Sequence, residues 1–104
     1  MADQPLTLDE VKNSLRISHN LDDGMLKNYL SAATLQIEKA ITNDESLYES
    51  LQLDTRFKIA VSMLVSEWYE NRMGLEEKHL REIPDGIISF VHTLRSDYPC
   101  ISQI

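Results

Sequence analysis

The sequence predicts an all-α fold: a small bundle of four main helices around one central apolar helix, with a long charged loop before the last helix. Three observations predict it. Apolar residues recur at three- and four-residue spacing in four separate stretches, the mark of amphipathic helices. Pro and Gly number three each in 104 residues, which favours helix over a many-stranded sheet with its frequent turns. Apolar content is 42 %, typical of a soluble globular domain. The length predicts a single domain over residues 1–104, with residues 1–6 as a flexible leader and 97–104 as a C-terminal tail.

Residues 7–16 form the first predicted helix. Thr7-Leu8-Asp9-Glu10 reads as a capping box, with Thr7 as cap and Glu10 reaching back to its backbone. Asp9 and Glu10 also sit where the helix dipole favours negative charge. Leu8, Val11 and Leu15 share a face. So short a helix is marginal alone and must pack on another element. Residues 17–20 are a link. The second helix runs from about residue 22 to 41, with Asp22 and Asp23 in its first turn. Its stripe is Leu26, Tyr29, Leu30, Ala33, Ile37, Ala40 and Ile41. Ala32 and Ala33 are small enough for a neighbouring helix to come close. Lys27, Glu38 and Lys39 lie off the stripe.

Residues 42–53 are acidic and carry no base. The expectation is a solvated connector, in which Leu47, Tyr48 and Leu51 could make one short helical turn against the core. The central helix follows as residues 54–73, DTRFKIAVSMLVSEWYENRM. Asp54 or Thr55 can cap its start. Phe57, Ala60, Val61, Leu64 and Trp68 make its stripe, while Ile59, Met63, Val65 and Tyr69 fall off it. A helix apolar nearly all round predicts cover from several sides. The uncharged run 59–66 is far short of the ~20 residues needed to cross a bilayer.

Gly74 is placed to stop the central helix. Residues 75–83 read as a loop of mixed charge, with Glu76, Glu77, Lys78, Arg81 and Glu82. Pro84 fits the first turn of the last helix, where its missing N–H costs nothing. Ile87, Ile88, Val91 and Leu94 form that helix's buried face, with Phe90 beside it, and Asp97-Tyr98-Pro99 ends it. The tail carries Ile101 and Ile104.

Net charge is −7, which argues against a protein that grips phosphate backbones. An acidic wall does not hinder DNA that must slide past. The first two helices lack the Arg, Asn and Gln that a helix-turn-helix uses to reach base edges. Asp22-Asp23-Gly24 lacks the alternating carboxylates of a calcium loop. The single cysteine, Cys100, permits no intrachain disulfide. The first ten residues have no secretory signal pattern, and the expectation is a protein made and kept in a reducing cytoplasm.

His19, His79 and His92 sit in three different segments, none with a second ligand at metal-binding spacing. There is no glycine-rich phosphate loop and no G-x-S-x-G. Glu67 and Glu70 share a helix face and read as solvated charges. The prediction is a protein that is not an enzyme, with no catalytic, cofactor-binding or metal-ligating residues. The end of the central helix is the densest cluster of distinctive side chains. Trp68 and Arg72 are i, i+4 neighbours, so the guanidinium can lie over the indole, and aromatics with Arg are enriched at interface centres. The plainer alternative is that Trp68 and Tyr69 fill the core and Arg72 is solvated.

A helix ending in WYENR, then a polar loop, then IPDGIISFVHTLR resembles the tailed-phage head–tail connector family, often described as head-completion or DNA-packaging proteins. LTLDEVKNSLRI and LKNYLSAATLQIEKAI at the start fit as well. The resemblance covers most of residues 6–95, loosely over 42–53. Its distinctive positions are Trp68, Tyr69, Glu70, Asn71 and Arg72 with Pro84 and Gly86. It implies a structural protein that assembles as a dodecamer-type ring beneath the portal after DNA packaging. The implied partners are further copies of itself, the portal protein and the next neck or tail component. DNA is implied only as cargo passing through the channel, with no cofactor and no membrane. The implied location is the virion neck, after synthesis in the bacterial host cytoplasm. Asn71 and Arg72 are implied either to fix the loop after the helix or to bond a neighbouring subunit. The subunit contact is expected on the loop, through Glu76, Glu77, Lys78, Arg81 and Glu82, and on the tail, through Ile101 and Ile104. The competing class is a small acidic helical regulatory or protein-interaction domain of a prophage or bacterium. A basic DNA-binding arm would favour it, and none is visible.

Overall fold

Residues 6–71 and 83–98 are described by a computed structural model. They form five α-helices and one 3₁₀ turn: α1 (Leu8–Leu15), α2 (Asp23–Ile41), the turn Glu45–Leu47, α3 (Tyr48–Leu53), α4 (Thr55–Glu70) and α5 (Asp85–Asp97). No strand occurs among the described residues.

Local chemistry sets most of the helix ends. Thr7 Oγ1 accepts from the Glu10 N–H at 3.2 Å, and Glu10 Oε1 accepts from the Thr7 N–H at 3.3 Å, so both halves of the capping box form. α1 ends at Arg16, which adopts the left-handed conformation at φ 59°. Glycine usually takes that place because a side chain there costs about 1–2 kcal/mol. The turn is closed by the Arg16 N–H to Asn13 O at 3.2 Å and the Ile17 N–H to Lys12 O at 2.9 Å. α4 is capped by Asp54, whose Oδ1 accepts from the Arg56 N–H at 2.9 Å. α4 ends at Glu70 with Asn71 closing it, short of the expected residue 73. Residues 72–73 and the expected stop at Gly74 lie outside the described residues. Pro84 stands one position before α5, not inside its first turn. Its carbonyl accepts from the Ile87 and Ile88 N–H groups at 2.9 and 3.1 Å, so it starts the helix from outside.

The core lies where α2 and α4 pack stripe against stripe, with α5, α3 and α1 closing the flanks of α4. Leu26, Ala33, Ile37 and Ile41 of α2 meet Phe57, Ala60, Val61, Leu64, Val65 and Trp68 of α4, and Val11, Leu51, Ile87, Val91 and Leu94 complete the cluster. Burying each large aliphatic or aromatic side chain contributes about 1.5–3 kcal/mol.

Two expectations are corrected here and a third is refined. The 42–53 stretch is not a solvated connector. Asp44 caps the 3₁₀ turn through the Ser46 N–H at 3.0 Å, Tyr48 Oη donates to Thr42 O at 3.0 Å, and Leu51 is fully buried. The short helical turn expected within it, around Leu47, Tyr48 and Leu51, forms and is lengthened into α3. Glu38, off the apolar stripe in sequence, is only 4 % exposed. α3 packs beside it, and Gln52 Nε2 donates to its Oε2 at 2.6 Å, which meets the requirement that a buried carboxylate be bonded. Finally, α4 is covered from several sides, as expected, by α2, α5, α3 and α1, but not all round. Val65 is buried, but Ile59 and Met63 remain 42 % and 38 % exposed. The helices around α4 cover its inner arc and flanks. α1, with eight residues and so about 12 Å long, leaves the outer arc open.

Candidate interaction surfaces

Trp68 and Tyr69 leave the last turns of α4 on adjoining faces, because successive helical residues are separated by about 100°. Trp68 is 2 % exposed and meets the Tyr29 ring edge-to-face, with centroids 5.6 Å apart and planes at 69°. This is a favoured aromatic geometry. The reading of Trp68 as a core plug therefore holds. Its indole N–H has no hydrogen-bond partner among the described residues. Tyr69 Oη donates to Asp22 Oδ2 at 2.6 Å. Asp22 therefore does not cap α2, whose N-cap has no side-chain bond, and instead ties the start of α2 to the end of α4. Glu70 is exposed. Asn71 Nδ2 donates to Glu67 O at 2.8 Å and to Glu67 Oε1 at 3.2 Å, adding a side-chain bond to a carbonyl that also accepts the Asn71 backbone N–H at 3.2 Å. The Trp68–Arg72 stacking and the role of Arg72 lie outside the described residues.

The opposite end of α4 carries a denser polar cluster that the sequence did not disclose. Arg56 forks onto Asp54, with Nε to Oδ1 at 3.2 Å and Nη2 to Oδ2 at 2.9 Å. The same Nη2 reaches Asp97 Oδ2 at 2.7 Å at the end of α5. Tyr98 Oη donates to Asp54 Oδ2 at 3.0 Å. The Arg56 hydrogen bond holds the Asp54 carboxyl below its usual range, against the opposing pull of burial. Burial, then the hydrogen bond to Asp54, pushes the Tyr98 phenol up. Asp54 and Asp97 together raise Arg56 further. A bidentate Arg–carboxylate pair fixes orientation as well as charge, so this cluster sets how α5 meets the start of α4.

A third polar tie lies between α1 and α2. Lys12 is buried, and its Nζ sits 2.6 Å from Asn20 Oδ1 and 2.8 Å from Asp23 Oδ1. Its only sequence signal was a lone base next to Val11 on the inner side of α1.

Two outward hollows lie among the described residues. A groove of about 860 Å³ runs between α1 and α4, walled by Leu15 and Glu10 on one side and by Lys58, Ile59, Met63 and Glu67 on the other. A smaller hollow of about 450 Å³ lies beside α2 next to Leu35, which is 49 % exposed. Of the residues expected at a subunit contact, Glu76, Glu77, Lys78, Arg81, Glu82, Ile101 and Ile104 lie outside the described residues. The described ends of those segments, Ile83 and Tyr98, pack against the chain's own core. Gly86 is exposed in the first turn of α5, and a Cβ there would meet nothing within 4 Å. The chain's own described packing therefore does not require glycine at this position. Among the described residues no group of three or more His, Cys, Asp or Glu could hold a metal ion. No described helix is long and apolar enough to cross a membrane.

In comparison with known proteins, a family model described as phage gp6-like head-tail connector protein matches residues 5–95. No curated protein and no solved structure matches the chain.

Proposed function

The chain belongs to the phage gp6-like head-tail connector family, and on that premise we propose that it is a structural protein of the virion neck that assembles as a ring beneath the portal after DNA packaging. The observation that carries the reading is the extent of the match, which runs from before α1 to Arg95 in the last turn of α5. Work of this kind needs shape and subunit contacts and no bond chemistry, and the protein is proposed not to be an enzyme. Its partners are further copies of itself in a dodecamer-type ring, the portal protein above and the next neck or tail component below.

The net charge of −7 suits a channel wall that DNA passes without sticking, since few Lys and Arg are present to neutralise phosphates. The mixed charges of Glu76, Glu77, Lys78, Arg81 and Glu82 are proposed to pair at the rim of the subunit contact, where such pairs set orientation more than affinity. Ile101 and Ile104 are proposed to bury against a neighbour or the portal.

The test is complementation. DNA-filled heads made without this protein are mixed with it and imaged by electron microscopy. The expected result is a ring at the portal vertex and retained DNA. Heads that still leak DNA with a bare vertex would refute the reading. In parallel, an anisotropy titration with duplex DNA at physiological salt should show no sub-micromolar, salt-sensitive binding. Such binding would favour the regulatory alternative.

A further inference from the structure

We propose that two opposite faces of this chain fit one another across a subunit boundary, the Leu35 face of α2 in one copy seating in the α1–α4 groove of the next. The inference rests on the ring reading above and deepens it by naming the surfaces in contact.

The groove supplies the receiving half. Ile59 and Met63 stand one helical turn apart on the outer arc of α4, well exposed, and Leu15 of α1 faces the same space. Together they make a contiguous apolar strip, where single scattered apolar residues would call for no explanation. The outer arc of α2 supplies the entering half. Leu35 is the large apolar side chain on that arc, and Ser31 and Ala32 one turn earlier are small and exposed. Small residues let a second helix approach closely.

Charge matches the two halves. Lys27 and Lys39 are exposed on α2, while Glu38, the carboxylate in the body of that helix, is buried against Gln52. The outer side of α2 beyond its first turn therefore presents cations alone, in a chain whose net charge is −7. The groove carries Glu10 and Glu67 against one base, Lys58, and presents net negative charge.

Placement then decides the symmetry. α2 and α4 bury their stripes against each other, so their outer arcs point to opposite sides of the molecule. Surfaces on opposite sides cannot meet within one copy, nor pair mutually about a two-fold axis. They join copies head to tail, the heterologous contact that makes a ring where the rotation between copies closes and a filament where it does not.

The experiment uses the full chain in three forms: parent, Leu35→Asp and Met63→Asp. Both substitutions are at exposed positions, and unchanged circular dichroism and Tm establish that the fold is kept. Sedimentation and light scattering over a concentration series read assembly, in solution and on connector-less heads. The parent should assemble, and each variant alone should lose self-association by more than about tenfold, as for removal of a contact centre. An equimolar mixture of the two variants should form a one-to-one dimer and stop, because only one sound ridge and one sound groove remain. Lys39→Glu should weaken assembly, and adding Glu67→Lys to the same chain should restore it.

Variants that assemble as the parent does, or a mixture that forms no dimer, would overturn the pairing while leaving the ring reading intact. Assembly insensitive to Met63→Asp but abolished by deleting residues 99–104 would give the contact to the tail and overturn it too. A parent that forms no ring either free or on heads would overturn the ring reading, and this inference with it.

Discussion

The two ends of α4 are held by different physics. At the start, Asp54 and Arg56 engage Asp97 and Tyr98 at the end of α5 through charge-assisted bonds. At the finish, Trp68 and Tyr69 engage Tyr29 and Asp22 of the α2 segment through a buried ring contact and one hydroxyl bond. Arg56 and Asp97 are partly exposed, so their pairing is screened by water and contributes little net stability, while its fork geometry orients α5. Trp68 is almost wholly buried and draws on apolar burial and ring packing. One end thus governs alignment and the other governs stability.

Breaking the aromatic end should have the largest effect. Trp68→Ala is expected to cost about 3–5 kcal/mol, the range for truncating a buried large aromatic, read by urea unfolding. Leu64→Ala, in the same stripe, should cost about 2–5 kcal/mol. Losses below about 1 kcal/mol at both sites would mean that α4 is peripheral to the core. At the charged end, Asp54→Ala removes the cap of α4 and the anchor of Arg56 and Tyr98 together. A cost of about 1–2 kcal/mol is expected. A cost equal to that of Trp68→Ala would erase the contrast between the two ends.

Tyr69→Phe isolates the hydroxyl bond from the ring packing beside it and should cost about 1 kcal/mol. A neutral result would assign the work of this end to the rings alone. The smallest expected effect is the pH dependence of the charged end. Asp54 has its folded-state pKa lowered from 3.8, chiefly by the Arg56 hydrogen bond. The unfolded chain therefore takes up this proton more readily than the folded one. The stability Asp54 contributes is present above 3.8 and is lost as pH falls through the lower folded value. Denaturation midpoints measured between about pH 5 and pH 2 should fall less steeply in Asp54→Asn than in the parent. Identical acid limbs would remove the charge pairing from the account. Tyr98 has the opposite sign. Its raised folded value means that its contribution is intact below the ordinary phenol value of 10.0 and is lost as pH rises through the folded one. Tyr98→Phe should flatten that alkaline loss.

The contrast between the ends also shows where sequence reasoning reaches. The WYEN cluster is legible in sequence because its side chains are distinctive and adjacent, and the structure gives Trp68, Tyr69 and Asn71 defined contacts. The Asp54–Arg56–Asp97–Tyr98 cluster has no such local signature. Its residues are common types, and its two halves lie more than forty positions apart. No periodicity joins such residues. They meet only once α4 and α5 have packed.

What the sequence by itself determined is local. The capping box at Thr7 and Glu10, a cap at Asp54 or Thr55, the stripes of α2, α4 and α5 and the all-helical class follow from signals within a few turns, because helix formation and capping are short-range events. The connector resemblance was equally legible, since each of its motifs is a short run of sequence. Only the tertiary structure decided which apolar positions off the α4 stripe are covered. Val65 was buried while Ile59 and Met63 stayed in water, and Glu38 was drawn inside beside Gln52. The reason is that a side chain's periodicity states which way it points around its own helix. Whether anything lies there depends on the length and placement of other helices. α1 is too short to cover the outer arc of α4, and α3 is long enough to close over Glu38.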